Sequence, residues 1–206
     1  MSRPIRHSSA YTSCPPDFGP PDYRSPIDLA DHLARVPPHA TGKGMFLGKL
    51  FDELDERGIA RPTQERFLPF HDYPLTRCLE LNLEVARLLH PRVPDREALR
   101  RVAWRSFTTF AGSIVGRVVF GAVGRNPIDV LSLATRALPM TTNVGDYTLE
   151  SIDQQHAILH VHEGYLFVEP FGAGMVEGVF SACKHDGEVL VRRTSPTSCS
   201  FFIGLH

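Results

Sequence analysis

Between Val144 and His206 the spacing of apolar residues changes from the period of a strand to that of a helix and back again, an order that few folds accommodate. Tyr147, Leu149 and Ser151 alternate with Thr148, Glu150 and Ile152. Ala157, Leu159 and Val161 alternate with His156, Ile158, His160 and His162. Alternation bounded by polar residues predicts two half-buried strands in a hairpin. A short apolar run, Tyr165 to Val168, stops at Pro170. From Gly172 to Cys183 the period is helical, with Val176, Val179, Phe180 and Cys183 on one stripe. Its glycines each cost about 1 kcal/mol of helix propensity relative to alanine, so close tertiary contact has to replace it. His185-Asp186-Gly187 predicts the stop, with Gly187 as the left-handed residue. Val189 and Val191, then Cys199, Phe201, Ile203 and Leu205, predict two more strands, joined by turn residues from Thr194 to Ser198.

The residues before this block read as helices. Asp28 to Val36 is a short helix closed by Pro37-Pro38, and Gly44 to Arg57 carries Leu47, Leu50, Phe51 and Leu54 on one stripe before Gly58. Pro62 to Phe70 is a turn or a single helix. Pro74 to His90 is a longer helix with Leu75, Cys78, Leu79, Ala86 and Leu89 inward, and Pro91 forbids its continuation. Asp95 caps the next, which holds Leu99, Val102, Ala103, Ser106 and Phe110; Gly112 and Gly116 are places for a kink. Ile114 to Val123 is almost wholly apolar and is expected to be deeply buried. Asn126-Pro127 restarts a helix, asparagine as cap and proline at the first position. Helices first, then a mostly antiparallel four-stranded sheet with one packed helix, is an α+β arrangement with a β-β-α-β-β second half.

Residues 1–26 are rich in Pro, Ser and Tyr and cannot bury a core, so they read as a disordered leader or a docking arm ahead of one domain, 27–206. The folded part draws on 42% apolar residues. Lys and Arg number 22 against 23 Asp and Glu, which removes the basic footprint of nucleic-acid binding. No apolar run approaches the roughly 18 residues of a membrane span, and Arg3 and Arg6 precede no apolar secretory core. Cys14, Cys78, Cys183 and Cys199 are scattered, as free thiols of a cytoplasmic chain would be.

Several segments resemble a large paralogous family of unknown function found in myxobacteria. They are Asp28 to Pro38, Gly44-Met45-Phe46, Arg66 to Phe70, Tyr73-Pro74, Val115-Gly116-Arg117, Gly124 to Pro127, and Gly174 to Val179. The resemblance covers Ile27 to His206. That family is distantly similar to 4-vinyl-reductase-type domains, haem–nitric oxide/oxygen-binding domains and TRAPP vesicle-tethering subunits. The resemblance implies their fold, several helices against a four-stranded antiparallel sheet with an apolar pocket between. It does not fix an activity.

Each candidate site has a plain structural reading beside it. Trp104, Phe107, Phe110 and Phe120 form an aromatic-rich helical region that is either a pocket wall or core. Tyr73 is a further candidate for the ligand pocket; its plain reading is a helix-entry turn with the ring packed as a lid. Cys183 and Cys199 lie where the similar 4-vinyl-reductase-type domains carry cysteines and are candidates for ligand-contacting or metal-linked thiols in the pocket; the preferred reading is that as buried thiols they behave as small apolar residues, and so does Cys78. His160 and His162 share a strand face with His156 and are spaced to ligate a metal, but a solvated or dimer-facing strand face is preferred. His71 beside Asp72 has the makings of an acid–base pair. Haem is not expected, because the Tyr-x-Ser-x-Arg signature of the haem-binding relatives is missing. Arg77, Arg105 and Arg117 stand within apolar helices and either hold a ligand anion or reach solvent over apolar stems. Gly172-Ala173-Gly174 lacks the parallel-sheet context of a phosphate loop.

The expected function is a non-enzymatic sensory or small-molecule-binding domain in bacterial signalling, with an apolar molecule held between helices and sheet. The alternative is a protein-interaction module that homodimerises and holds no small ligand. A metal-dependent enzyme centred on His160 and His162 is a distant third.

Overall fold

A computed structural model describes residues 14–112, 121 and 124–206. The predicted buried segment Ile114 to Val123, with Gly116 and Arg117, lies outside the described residues apart from Gly121. The helices are α1 (Leu29–Ala34), α2 (Met45–Glu56), α3 (Leu75–Leu89), α4 (Asp95–Gly112), α5 (Pro127–Ala137) and α6 (Val168–Cys183). The strands are β1 (Thr41–Lys43), β2 (Asp72–Pro74), β3 (Asp146–Ser151), β4 (His156–His162), β5 (Gly187–Ser195) and β6 (Ser198–Leu205). β1 and β2 pair in a small antiparallel ladder, and the main sheet has the order β3-β4-β6-β5 with every neighbour antiparallel.

Local chemistry sets several helix ends. The Asp28 side chain accepts from Asp31 N at 3.0 Å at the start of α1. Asn126 accepts from Ile128 N at 2.8 Å at the start of α5, with Pro127 in the first position. Gly58, at φ 66°, follows α2. α4 begins at Asp95 itself, whose carboxylate holds Arg87 of α3 at 2.9 and 2.7 Å across the turn.

Two expectations for α6 are corrected. It starts one turn before Gly172, at the end of the apolar run Tyr165 to Val168: Phe167 turns left-handed at φ 45° and leads straight into the helix. Pro170 then sits in the first turn, where no backbone donor is needed. At the other end Lys184, not Gly187, is the left-handed residue at φ 60°. Gly187 instead opens β5, where a Cβ would meet the Gly204 carbonyl at 2.6 Å.

The glycines of α6 replace propensity with contact. A Cβ at Gly174 would lie 2.2 Å from the Arg100 carbonyl oxygen, and one at Gly178 would lie 3.0 Å from that of Trp104. On the sheet side a Cβ at Gly172 would lie 2.5 Å from the Phe201 ring. α6 is thus wedged between α4 and the sheet, backbone to backbone on one side. Buried side chains fall into two clusters. One joins α2, α3 and the first half of α4 with Tyr165 and Phe167. The other joins α6 and the inner sheet face with Phe107 and α5.

Residues 14–26 run across this assembly as a strap. Gly19 and Val191 exchange backbone hydrogen bonds at 3.0 and 2.7 Å on the edge of β5. Phe18 meets Phe202 edge-to-face with ring centroids 6.1 Å apart, and Arg192 lies over Phe18 while pairing with Asp17 at 2.6 Å.

Candidate functional site

The two clusters do not close against each other everywhere. Between them lies a cavity of about 150 Å³, walled by α3 and α4 on one side and by α5, α6, β3 and β4 on the other, with Gly42 and Lys43 of β1 at one end. Its walls are chiefly apolar: Leu47, Leu75, Phe107, Leu159, Met175 and Val176 all face it. An engineered apolar cavity of about 150 Å³ stays dry and binds benzene. Burial is what tunes the few polar groups in the lining. It pushes the Cys78 thiol up to about 11 and raises the Tyr147 phenol, so both stay neutral at physiological pH. Lys43 is the one charged lining residue among those described, and its Nζ is held by Asp72 at 2.8 Å.

Of the predicted pocket residues, Phe107 lines this cavity. Trp104 does not; it lies on the α4 face that meets α6 and solvent, and is 37% exposed. Tyr73 stands on β2, its ring tilted against Phe67 at 4.7 Å and its hydroxyl accepting from Leu68 N at 2.9 Å. Cys183 is buried near the end of α6, and burial raises it to about 11. Cys199, raised to about 12 by burial, stands on the inner sheet face with Phe201 and lines a second, polar pocket rather than the cavity. The side chain of Phe110, and Phe120 altogether, lie outside the described residues. Sequence reasoning passed over Asn82, Ser106, Tyr147 and Tyr165, all of which line the cavity. Asn82 had a legible signal, a polar residue at i+4 from Cys78 on an otherwise apolar stripe.

His160 and His162 project from the outer sheet face. Their Nδ1 atoms sit 3.0 and 3.1 Å from the hydroxyls of Ser200 and Ser198. Among the described residues, no group of three or more His, Cys, Asp or Glu is arranged to hold a metal ion. Asp72 is taken by Lys43 and His71 is exposed, so the two do not form a pair. Arg77 reaches Glu65 and Glu80 at 3.7 and 3.6 Å, and Arg105 approaches Glu53 at 3.8 Å. Gly172-Ala173-Gly174 lies inside α6 and presents no free helix N-terminus.

The buried arginines that matter are others. Arg96 pairs with Glu169 and donates through Nε to the Asp22 carbonyl at 2.6 Å. Glu169 also accepts from Asp22 N at 2.7 Å. Arg100 Nε lies 3.1 and 2.8 Å from the two carboxylate oxygens of Glu177, and its guanidinium covers the Tyr23 ring at 5.0 Å. Tyr23 donates to Glu177 at 3.3 Å. α6 therefore faces the cavity with Met175 and Val176 and holds the strap with Glu169 and Glu177. A second, polar pocket of about 260 Å³ lies under the strap, walled by Asp22, His32, Arg96, Glu169, Arg193 and Cys199. Its Arg96 and Glu169 pair with each other, so their charges are already satisfied.

Solved structures with a similar arrangement include H-NOX proteins. An Fe(II) unliganded H-NOX protein from K. algicida superposes with a TM-score of 0.61 at 15% identity, covering 80% of this chain and 96% of that one. A mutant of the same K. algicida protein gives 0.62 at 14% identity, with the same coverage of each chain. An H-NOX protein from S. oneidensis in the Fe(II)NO ligation state gives 0.56 at 11% identity, covering 80% of this chain and 99% of that one. At such identities the likeness is one of fold. No curated protein matches the chain. The profile of one sequence family matches residues 35–204, and by that match the chain belongs to the family described as "Protein of unknown function (DUF2378)".

Proposed function

We propose that this chain is a non-enzymatic sensory domain that takes a small, neutral, apolar molecule into the cavity between its helices and its sheet. The observation that carries the reading is the apolar cavity of about 150 Å³ at the seam of two separate cores, whose charged lining residue, Lys43, is already paired with Asp72. A ligand there touches α6, and α6 holds the strap, so occupancy has a mechanical route to the surface. The H-NOX neighbours, solved with Fe(II) and with NO, support a sensory reading.

Haem does not fit this lining. Among the described residues no histidine faces the cavity; burial favours the protonated forms of its one thiol, Cys78, and of its phenols, Tyr147 and Tyr165, and Met175 is an axial ligand of the kind found beside a histidine. The internal undescribed residues 113–120, 122 and 123 contain no His, Cys, Met or Tyr. The volume is also below the roughly 300 Å³ at which drug-sized ligands begin.

Native mass spectrometry of the purified chain, combined with thermal melts in benzene-saturated buffer, tests the reading. A retained small-molecule mass is expected, or a rise in Tm in the apo protein. Ligand at 100 times its Kd adds about 2.7 kcal/mol, or roughly 5–10 °C for a chain of this size. No retained mass and no shift would refute it. The same spectra read the alternative, a ligand-free interaction module, as a dimer without added mass. Exposed apolar side chains such as Phe70 (80%) and Met140 (76%) favour that alternative.

A further inference from the structure

One buried polar group in the cavity wall has an unused bonding position. Asn82 is 4% exposed, lines the cavity, and lies among the buried Cys78, Leu79, Leu81, Leu83 and Val85 of α3. Its Nδ2 donates to the Cys78 carbonyl at 2.8 Å. That partner only accepts, so the amide orientation is fixed and Oδ1 is the atom left over. No described residue donates to Oδ1. Oδ1 is not among the fully enclosed unpartnered atoms, so it keeps accessible surface, and the cavity is the space that Asn82 borders; a leucine would fill nearly the same shape without an unmatched acceptor, so packing alone does not account for asparagine here.

The rest of the lining narrows what Oδ1 can meet. Lys43 is neutralised by Asp72, and no carboxylate, arginine or histidine among the described residues faces the cavity. A charged ligand would lose its hydration and find no counter-ion. The apolar faces of Phe107, Leu159, Met175 and Val179 suit a compact hydrocarbon body. The geometry points to a neutral ligand of about the size of benzene that carries one hydroxyl or N–H donor, delivered to Asn82 Oδ1. This inference rests on the cavity being the binding site proposed above.

Cyclohexanol and methylcyclohexane are close in shape and differ by hydroxyl against methyl, so they make a suitable probe pair. The affinity ratio of the two is measured by calorimetry or line-shape NMR for the wild type, Asn82→Leu and, in case leucine perturbs the fold, Asn82→Ala. Removing the acceptor is expected to shift the ratio towards methylcyclohexane by about tenfold. In the wild type, cyclohexanol is expected to move the Asn82 side-chain amide resonances and methylcyclohexane to leave them in place. If both probes bind and the ratio is the same with and without Asn82, the donor-bearing ligand is refuted while the binding cavity stands. If neither probe binds the wild type, both the inference and the function beneath it fall.

Discussion

A methyl group at Gly174 has nowhere to go, because the atom it would meet, 2.2 Å away, is the Arg100 backbone carbonyl of a packed helix. Gly174→Ala is therefore expected to cost about 1–3 kcal/mol, a drop of several degrees in Tm. Gly48 on α2 is the control: its nearest contact would be 3.9 Å, and alanine there is expected to add up to about 1 kcal/mol of helix propensity. Titration gives a second residue-scale test. His32, stacked on Phe167 at 4.7 Å with Nε2 2.6 Å from the Tyr165 carbonyl, is held below the usual imidazole value chiefly by burial. His90 is lowered for the same first reason. The unfolded chain then binds more protons than the folded one as pH falls below about 6.5, so stability declines in that direction. Denaturation series at stepped pH are expected to show this slope in the wild type and a flatter one in the His32→Gln/His90→Gln double variant. Asn82 was readable in the sequence as a polar residue on an apolar stripe. The cavity it faces was not, because a pocket wall and a filled core have the same composition.

At the scale of elements, α6 shows where periodicity stops informing. Its stripe and its glycines were legible, and so was the need for close contact. Its start was not, because a short apolar run ended by a proline shows no helical period, and the left-handed turn at Phe167 that opens the helix leaves no mark on spacing. The strap was harder still: Asp22 meets Arg96 and Glu169 at 74 and 147 residues' distance along the chain, a separation that leaves no mark on local spacing. Asp22 anchors this element. Hydrogen bonding from Ser25 and Arg24 holds its carboxyl down at about 2. A carboxyl depressed in the folded state contributes stability above about pH 4 and loses it as pH falls from there towards the folded value, so acid should loosen the strap. Deleting residues 1–26 is expected to lower Tm and to speed proteolysis near β5. Phe202, only 1% exposed, loses Phe18 as cover, and the β5 edge loses Gly19. A truncated chain that melts and resists protease like the full one would show the strap contributes nothing to the fold.

Across the whole molecule, two cores meet at a seam that one helix spans. Its glycines bring α6 close to α4 at Gly174 and Gly178 and to Phe201 at Gly172, and Gly172 also lines the cavity. The α+β class and the β-β-α-β-β order follow from alternation alone, whereas the split into two clusters depends on which helix faces which, and chain spacing does not encode that. The strap's reach has a further consequence, for the order of assembly. Asp17 and Arg192 are 175 residues apart, and Tyr23 and Glu177 are 154 apart. Contacts of such high contact order form only after the intervening chain has condensed. A segment synthesised early thus waits for a strand made late, docking last in folding and leaving first when the molecule opens.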